Sequence, residues 1–203
     1  IKDELHDLNV RICCIGPAGE KLSKMACIVN ERRVAGRKGL GAVMGSKNLK
    51  AIALRGDQQV QIADKEKYDA ARKRMREGMK ESPILYPEFS RYGTSTTLDL
   101  TQALGIYPAK NWTATGVFTP ADKIGGYAIE SRGQGKTACA GCPVGCSQYR
   151  LGQEAPYTGV FTEGPEYETL YSFGGVTGVD NPDAIIAADR FADEFGLDTM
   201  SAG

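Results

Sequence analysis

Histidine is nearly missing from this chain: of 203 residues, only His6 carries an imidazole. A structural zinc site usually shows a second Cys/His pair at a spacing like the first, and this chain has no such pair to draw on. Charge of one sign is missing too. Twenty-five basic residues balance twenty-five acidic ones, so whole-molecule charge argues for neither nucleic acid nor a membrane surface. No apolar run reaches the roughly 18 residues of a transmembrane helix. Residues 1–20 lack the charged-then-apolar pattern of a signal peptide. No internal repeat or low-complexity tract stands out. The chain opens on Ile1 rather than Met and closes on SAG, which reads as a piece of a longer protein.

What remains is an ordinary globular composition, 41% hydrophobic and 25% charged, enough for one domain or two small ones. Six cysteines without a signal peptide suit a reducing cytoplasm better than a disulfide framework. Cys13, Cys14 and Cys27 lie in the apolar stretches RICCIG and MACIV, where they read as small buried hydrophobes. Cys139, Cys142 and Cys146 are different. They stand at C-x2-C-x3-C spacing in CAGCPVGC, three ligands short of a fourth. An iron–sulfur cube with three local thiolates and one remote fits this best, with zinc as the alternative. Gly141, Pro143 and Gly145 help a short loop curl around such a group. No cysteine follows Cys146, so the fourth ligand is Cys13, Cys14 or Cys27, or lies past Gly203.

The pattern predicts an α+β chain. NVRICCIG, KMACIVN and AIALRG read as strands of a β-rich opening third, residues 1–60. A mainly α-helical part, 61–203, follows a boundary near 57–63. Asp64 caps a helix with Tyr68, Ala71, Met75 and Met79 on one stripe. A short helix is expected over Thr96–Leu104, ended by Gly105, and residues 111–135 look irregular. PDAIIAADRFADEFG is a helix with Asn181 as cap, Pro182 in its first position and Gly196 past its end. Its expected apolar stripe is Ile185, Ala188, Ala192 and Phe195.

Between Arg32 and Lys50, six basic residues alternate with Gly36, Gly39, Gly41 and Gly45, and no acid intervenes. Glycines let backbone N–H groups approach an anion, and arginines fork onto phosphate. A phosphate-bearing cofactor and a solvated basic loop both suit this segment. The lack of aromatics there weakens nucleic-acid binding. TEGPEYET carries Glu163, Glu166 and Glu168, any one of which could serve as a base. In DEFGLD, Asp193 and Asp198 flank a helix C-terminus, where the dipole disfavours acids, and that hints at a ligand.

AGRKGLGAVMGSKNLKAI, CAGCPVGC, GPEYET and DEFGLDTMSAG, in this order, resemble the tungsten-dependent aldehyde:ferredoxin oxidoreductase family. The likeness extends to IGPAGE at 15–20 and YGT at 92–94 and covers nearly the whole chain. It implies an internal segment: the end of a β-rich pterin-binding domain and the start of a helical one. The resemblance further implies a tungsten bis-pterin cofactor, Mg2+ bridging the pterin phosphates, and a [4Fe–4S] cluster. Cys139, Cys142 and Cys146 match the cluster ligands, whose fourth partner lies downstream. Arg33, Val34, Ala35 and Gly36 match the segment that meets pterin and phosphates, with a backbone carbonyl near Val34 for Mg2+. Asp193, Leu197 and Asp198 match a pterin-gripping motif, and Glu168, beside Tyr167, matches the carboxylate near the metal. The implied activity oxidises an aldehyde to a carboxylic acid and passes electrons to ferredoxin or a similar carrier. Such a segment alone would be inactive, and a homo-oligomer of the full-length protein is one expectation for its assembly. The alternatives are another member of the family such as an aromatic thioester reductase, a molybdenum bis-pterin enzyme, and a small iron–sulfur or zinc module.

Overall fold

A computed structural model describes residues 1–114 and 116–203. The opening segment builds β1 (Arg11–Cys14), α1 (Pro17–Glu20), β2 (Ile28–Asn30), β3 (Arg33–Ala35), α2 (Leu40–Ser46) and β4 (Ala51–Leu54). The middle builds α3 (Lys65–Glu81), α4 (Ser90–Tyr92), α5 (Thr96–Ala103) and α6 (Gly126–Ile129), then β5 (Gly133–Thr137), β6 (Ser147–Leu151) and β7 (Phe161–Glu163). The end builds α7 (Tyr167–Leu170), α8 (Pro182–Phe195) and α9 (Thr199–Ala202). The fold is α+β, with sheet first and helices dominating later.

The chain divides into two compact units: Ile1–Asp57 with Ala188–Gly203, and Gln58–Ala187. In the first, a four-stranded antiparallel sheet runs in the order β3-β2-β1-β4. The three expected strands are there. The fourth, β3, is formed by RVA, inside the segment read as a loop. GLGAVMG is not a loop either; most of it is α2. A Cβ on Gly45 would stand inside the carbonyl oxygen of Gly19, and one on Gly41 inside that of Cys27. These two glycines therefore serve close packing of α2 on neighbouring backbone. The tail completes this unit. Cys27 N–H donates to Gly196 O at 2.9 Å, Asp198 N–H donates to Met25 O at 2.9 Å, and Leu197 bridges Ala26.

The second unit has its core around Leu98, Tyr107, Phe118, Ile124, Ile129, Leu170 and Ile185. Asp64 caps α3 as expected, accepting from Lys67 N–H at 3.0 Å. The Tyr68–Met79 stripe is not buried, however: no residue of α3 is, and Tyr68 and Met75 stand about half exposed. The helix Thr96–Ala103 ends near Gly105, which has φ 68. Asn181 Oδ1 accepts from the N–H groups of Asp183 and Ala184, capping α8. On α8 the buried face is carried by Asp183, Ile185, Ile186, Ala187, Asp189 and Ala192, while Phe195 is exposed because the chain turns away at Gly196. The three-stranded antiparallel sheet β5-β6-β7 was not anticipated in a segment read as helical and irregular. GQGKT has too little β-branched character to announce a strand.

Candidate functional site

The unanticipated sheet positions the cysteines. β5 and β6 pair antiparallel with Thr137 opposite Ser147, so CAGCPVGC lies wholly within the loop of this hairpin. Gly141 and Gly145 take left-handed φ of 73° and 63°, which lets the loop double back. Cys142 N–H donates to Cys139 O at 3.0 Å, and Tyr86 donates its hydroxyl proton to Pro143 O at 3.0 Å. Val144 is buried and anchors the loop, while Cys139 is exposed and Cys142 and Cys146 are half-buried. Burial first, then the Glu166 carboxylate and the two neighbouring thiols, push the Cys146 thiol up. Among the described residues, no three His, Cys, Asp or Glu side chains close on a point that one ion would fill. The three thiols share the one hairpin loop.

β6 pairs next with β7, Tyr149 opposite Glu163, and the chain passes through Gly164-Pro165 into α7. Arg150, buried in β6, fastens this passage. Its Nη1 donates to Gly164 O at 3.2 Å and Pro165 O at 3.3 Å; its Nη2 donates to Tyr92 O at 2.9 Å and Ser95 Oγ at 3.2 Å. Glu166 accepts from Ser147 Oγ at 3.1 Å and from Thr94 Oγ1. Thr94 Oγ1 also accepts from Tyr167 N–H at 3.0 Å. Glu168 projects exposed from α7, and Tyr167 packs against the core with its hydroxyl 3.5 Å from Thr101 Oγ1. Sequence reading gave no role to Thr94, Ser147 or Arg150; YGT was the only signal touching any of them.

In the first unit, Arg33, Val34 and Ala35 form exposed β3, and Gly36 follows. Asp198 is buried beside it: a Cβ on Gly36 would stand 2.9 Å from Asp198 Oδ1. The other oxygen, Oδ2, accepts from Ser201 N–H at 2.9 Å and from Ser201 Oγ, so Asp198 caps α9. That explains an acid just past one helix end: it sits at the start of the next, where the dipole favours it. Leu197 pairs with Ala26, and Asp193 lies exposed in the last turn of α8. Cys27 is fully buried here. Burial, then Asp193 and Asp198, push its thiol up to about 11, so it stays protonated as a small hydrophobe would. Lys50 pairs with Glu20, and Arg37, Lys38 and Lys47 are exposed.

Residues 1–56 match the family model for the N-terminal domain of aldehyde ferredoxin oxidoreductase, and residues 70–203 match that for its domains 2 and 3. The tungsten-containing aldehyde ferredoxin oxidoreductases of Pyrococcus abyssi and Thermococcus kodakarensis are each 40% identical over 212 aligned residues, covering all of this chain and 33% of theirs. An aliphatic sulfonate oxidoreductase, WOR-like subunit, of Pyrococcus furiosus is 31% identical over 93% of this chain and 30% of its own. The chain thus spans about a third of the length of the curated relatives it matches. Among solved structures, the active-site complex BamBC of benzoyl coenzyme A reductase, in complex with 1,5-dienoyl-CoA, superposes with TM-score 0.69. At 21% identity, over 98% of this chain and 31% of the other, this likeness speaks to the fold alone. With both of its family models matched in order along nearly its whole length, the chain belongs to the aldehyde ferredoxin oxidoreductase family.

Proposed function

We propose that this chain is the cofactor-holding part of a tungsten enzyme that oxidises an aldehyde to a carboxylic acid and delivers the electrons to ferredoxin or a similar carrier. The observation that carries the reading is the hairpin loop of three thiols, joined through Ser147 and Glu166 to the segment presenting Glu168. When bound, a tungsten bis-pterin supplies the two-electron chemistry, Mg2+ neutralises its phosphates, and a [4Fe–4S] cluster supplies a one-electron exit.

The residues present fit these groups. Thiols are the donors an iron–sulfur cube takes, and Cys139, Cys142 and Cys146 would hold it from a loop whose glycines curl it. Gly36 leaves open the space that a Cβ would fill beside the buried Asp198 carboxylate, a cradle for a polar ring edge. Arg33 would bind phosphate, and the Val34 carbonyl would face Mg2+. Leu197 fixes the position of Asp198 through its bridge to Ala26; Ala35 directly precedes Gly36, and Asp193 lies in the last turn of α8. Glu168, exposed on α7, would accept the proton of the water that adds to the aldehyde carbon. Tyr167, held through its backbone by Thr94, would orient it.

In the full-length enzyme, Glu168→Gln is expected to lower turnover by about 10²-fold or more while tungsten and iron contents stay normal. Unchanged turnover at normal metal content would remove Glu168 from the mechanism. The 31% identical aliphatic sulfonate oxidoreductase supports a second reading, a family member with another substrate. Assaying the full-length enzyme on aldehydes and on aliphatic sulfonates separates the two.

A further inference from the structure

Three glutamates surround Tyr167, and the reading above uses only Glu168. Glu166 has other surroundings. Its Oε1 accepts from Ser147 Oγ at 3.1 Å, and Ser147 directly follows Cys146. Its Oε2 accepts from Thr94 Oγ1. Thr94 follows Gly93, which lies so close to the third cysteine that a Cβ there would stand 2.7 Å from Cys146 O. The carboxylate is thus tied to both segments that hold Cys146. It is half-buried, in surroundings that screen charge less than water does. A hydroxyl pair alone would fasten these segments as well to a neutral amide, so a bare fastening role leaves the charge unexplained.

We infer that Glu166 is a fixed negative charge that lowers the reduction potential of the iron–sulfur cluster held by Cys139, Cys142 and Cys146. The inference rests on assigning those thiols to a cluster. Reduction adds one electron, and so one negative charge, to the cluster. An anion fixed beside Cys146 disfavours that form, and few solvent dipoles reach between to relieve it. A cluster held low in this way gives up its electron readily. The electron carrier this protein serves would then be a one-electron acceptor of low potential.

The test uses the full-length enzyme and an electron paramagnetic resonance redox titration of the reduced cluster. Glu166→Gln keeps the shape and both hydroxyl contacts and removes the charge. Ser147→Ala keeps the charge and removes one contact. We expect Glu166→Gln to retain its iron and move the midpoint to more positive potential, clearly further than Ser147→Ala. An unmoved midpoint in Glu166→Gln, or an equal shift in both variants, overturns the inference, the second by making loosening of the loop the cause. Should Glu166→Gln lose its iron, Glu166→Asp, which draws the charge back by one methylene, is expected to give a smaller positive shift, and no shift there overturns it. A wild-type enzyme with no cluster signal refutes the cluster assignment itself. A normal signal with an immovable midpoint refutes only the role of Glu166.

Discussion

Two arginines, Arg150 buried and Arg132 half-buried, carry different burdens. Arg150 reaches four acceptors through one guanidinium, three of them backbone carbonyls around the Tyr92 turn and the Gly164-Pro165 passage. A lysine ammonium cannot fork across four acceptors in two segments. Arg150→Lys is therefore expected to cost about 2–4 kcal/mol, read as a lowered thermal midpoint of the intact enzyme. Arg132 instead meets a carboxylate, donating from Nε to Asp183 Oδ1 at 2.5 Å, while Glu154 N–H donates to Oδ2 at 3.0 Å. Burial pushes the Asp183 carboxyl up, but the Arg132 hydrogen bond and charge outweigh it and hold it below its usual value. A folded-state value below the unfolded one means that this stabilisation is full above about pH 4 and is lost as pH falls through the depressed value. Asp183→Asn should cost about 3–5 kcal/mol at neutral pH and flatten the acid limb of a plot of thermal midpoint against pH. A limb as steep as that of the wild type would assign the acid sensitivity to other groups. The sequence made the three cysteines legible because their spacing is local. It hid Arg150 and the Thr94–Glu166 contact, whose partners lie up to 72 residues apart.

At the scale of elements, helix ends were legible because caps are written in adjacent residues: Asp64 before α3, Asn181 and Pro182 at the start of α8. Sheet membership was legible only for apolar strands. β3 is exposed along its whole length and β5 nearly so, and neither shows the alternation that a half-buried strand prints. The glycines of GLGAVMG were ambiguous for a related reason. Composition says that backbone can come close but not what it approaches, and here Gly45 meets the Gly19 carbonyl. Gly45→Ala is thus expected to push α2 off α1 at a cost of at least ~2 kcal/mol, seen as a lower denaturant midpoint. A neutral effect would mean that the two helices can slide apart freely. The bare stripe of α3 shows the limit of periodicity: it marks a face, and burial depends on what the rest of the molecule brings to it.

At the scale of the whole molecule, resemblance carried further than pattern. The family follows from long motifs in order, and both family models match almost end to end. The return of the tail to the first unit was invisible in the order of the motifs, because order along a chain does not say which segments pair. Residues 58–187 intervene between β4 and the residues that pair with Met25, Ala26 and Cys27. Synthesis runs from the N-terminus, so the strands emerge from the ribosome long before Leu197 and Asp198 do. Until then the Met25–Cys27 backbone lacks its partners and the niche beside Gly36 lacks a wall. The cysteine hairpin, by contrast, draws its contacts from Tyr86, Thr94 and Glu166, all of which emerge before Leu197. Birth order along the ribosome thus leaves the niche beside Gly36 open until Asp198 arrives.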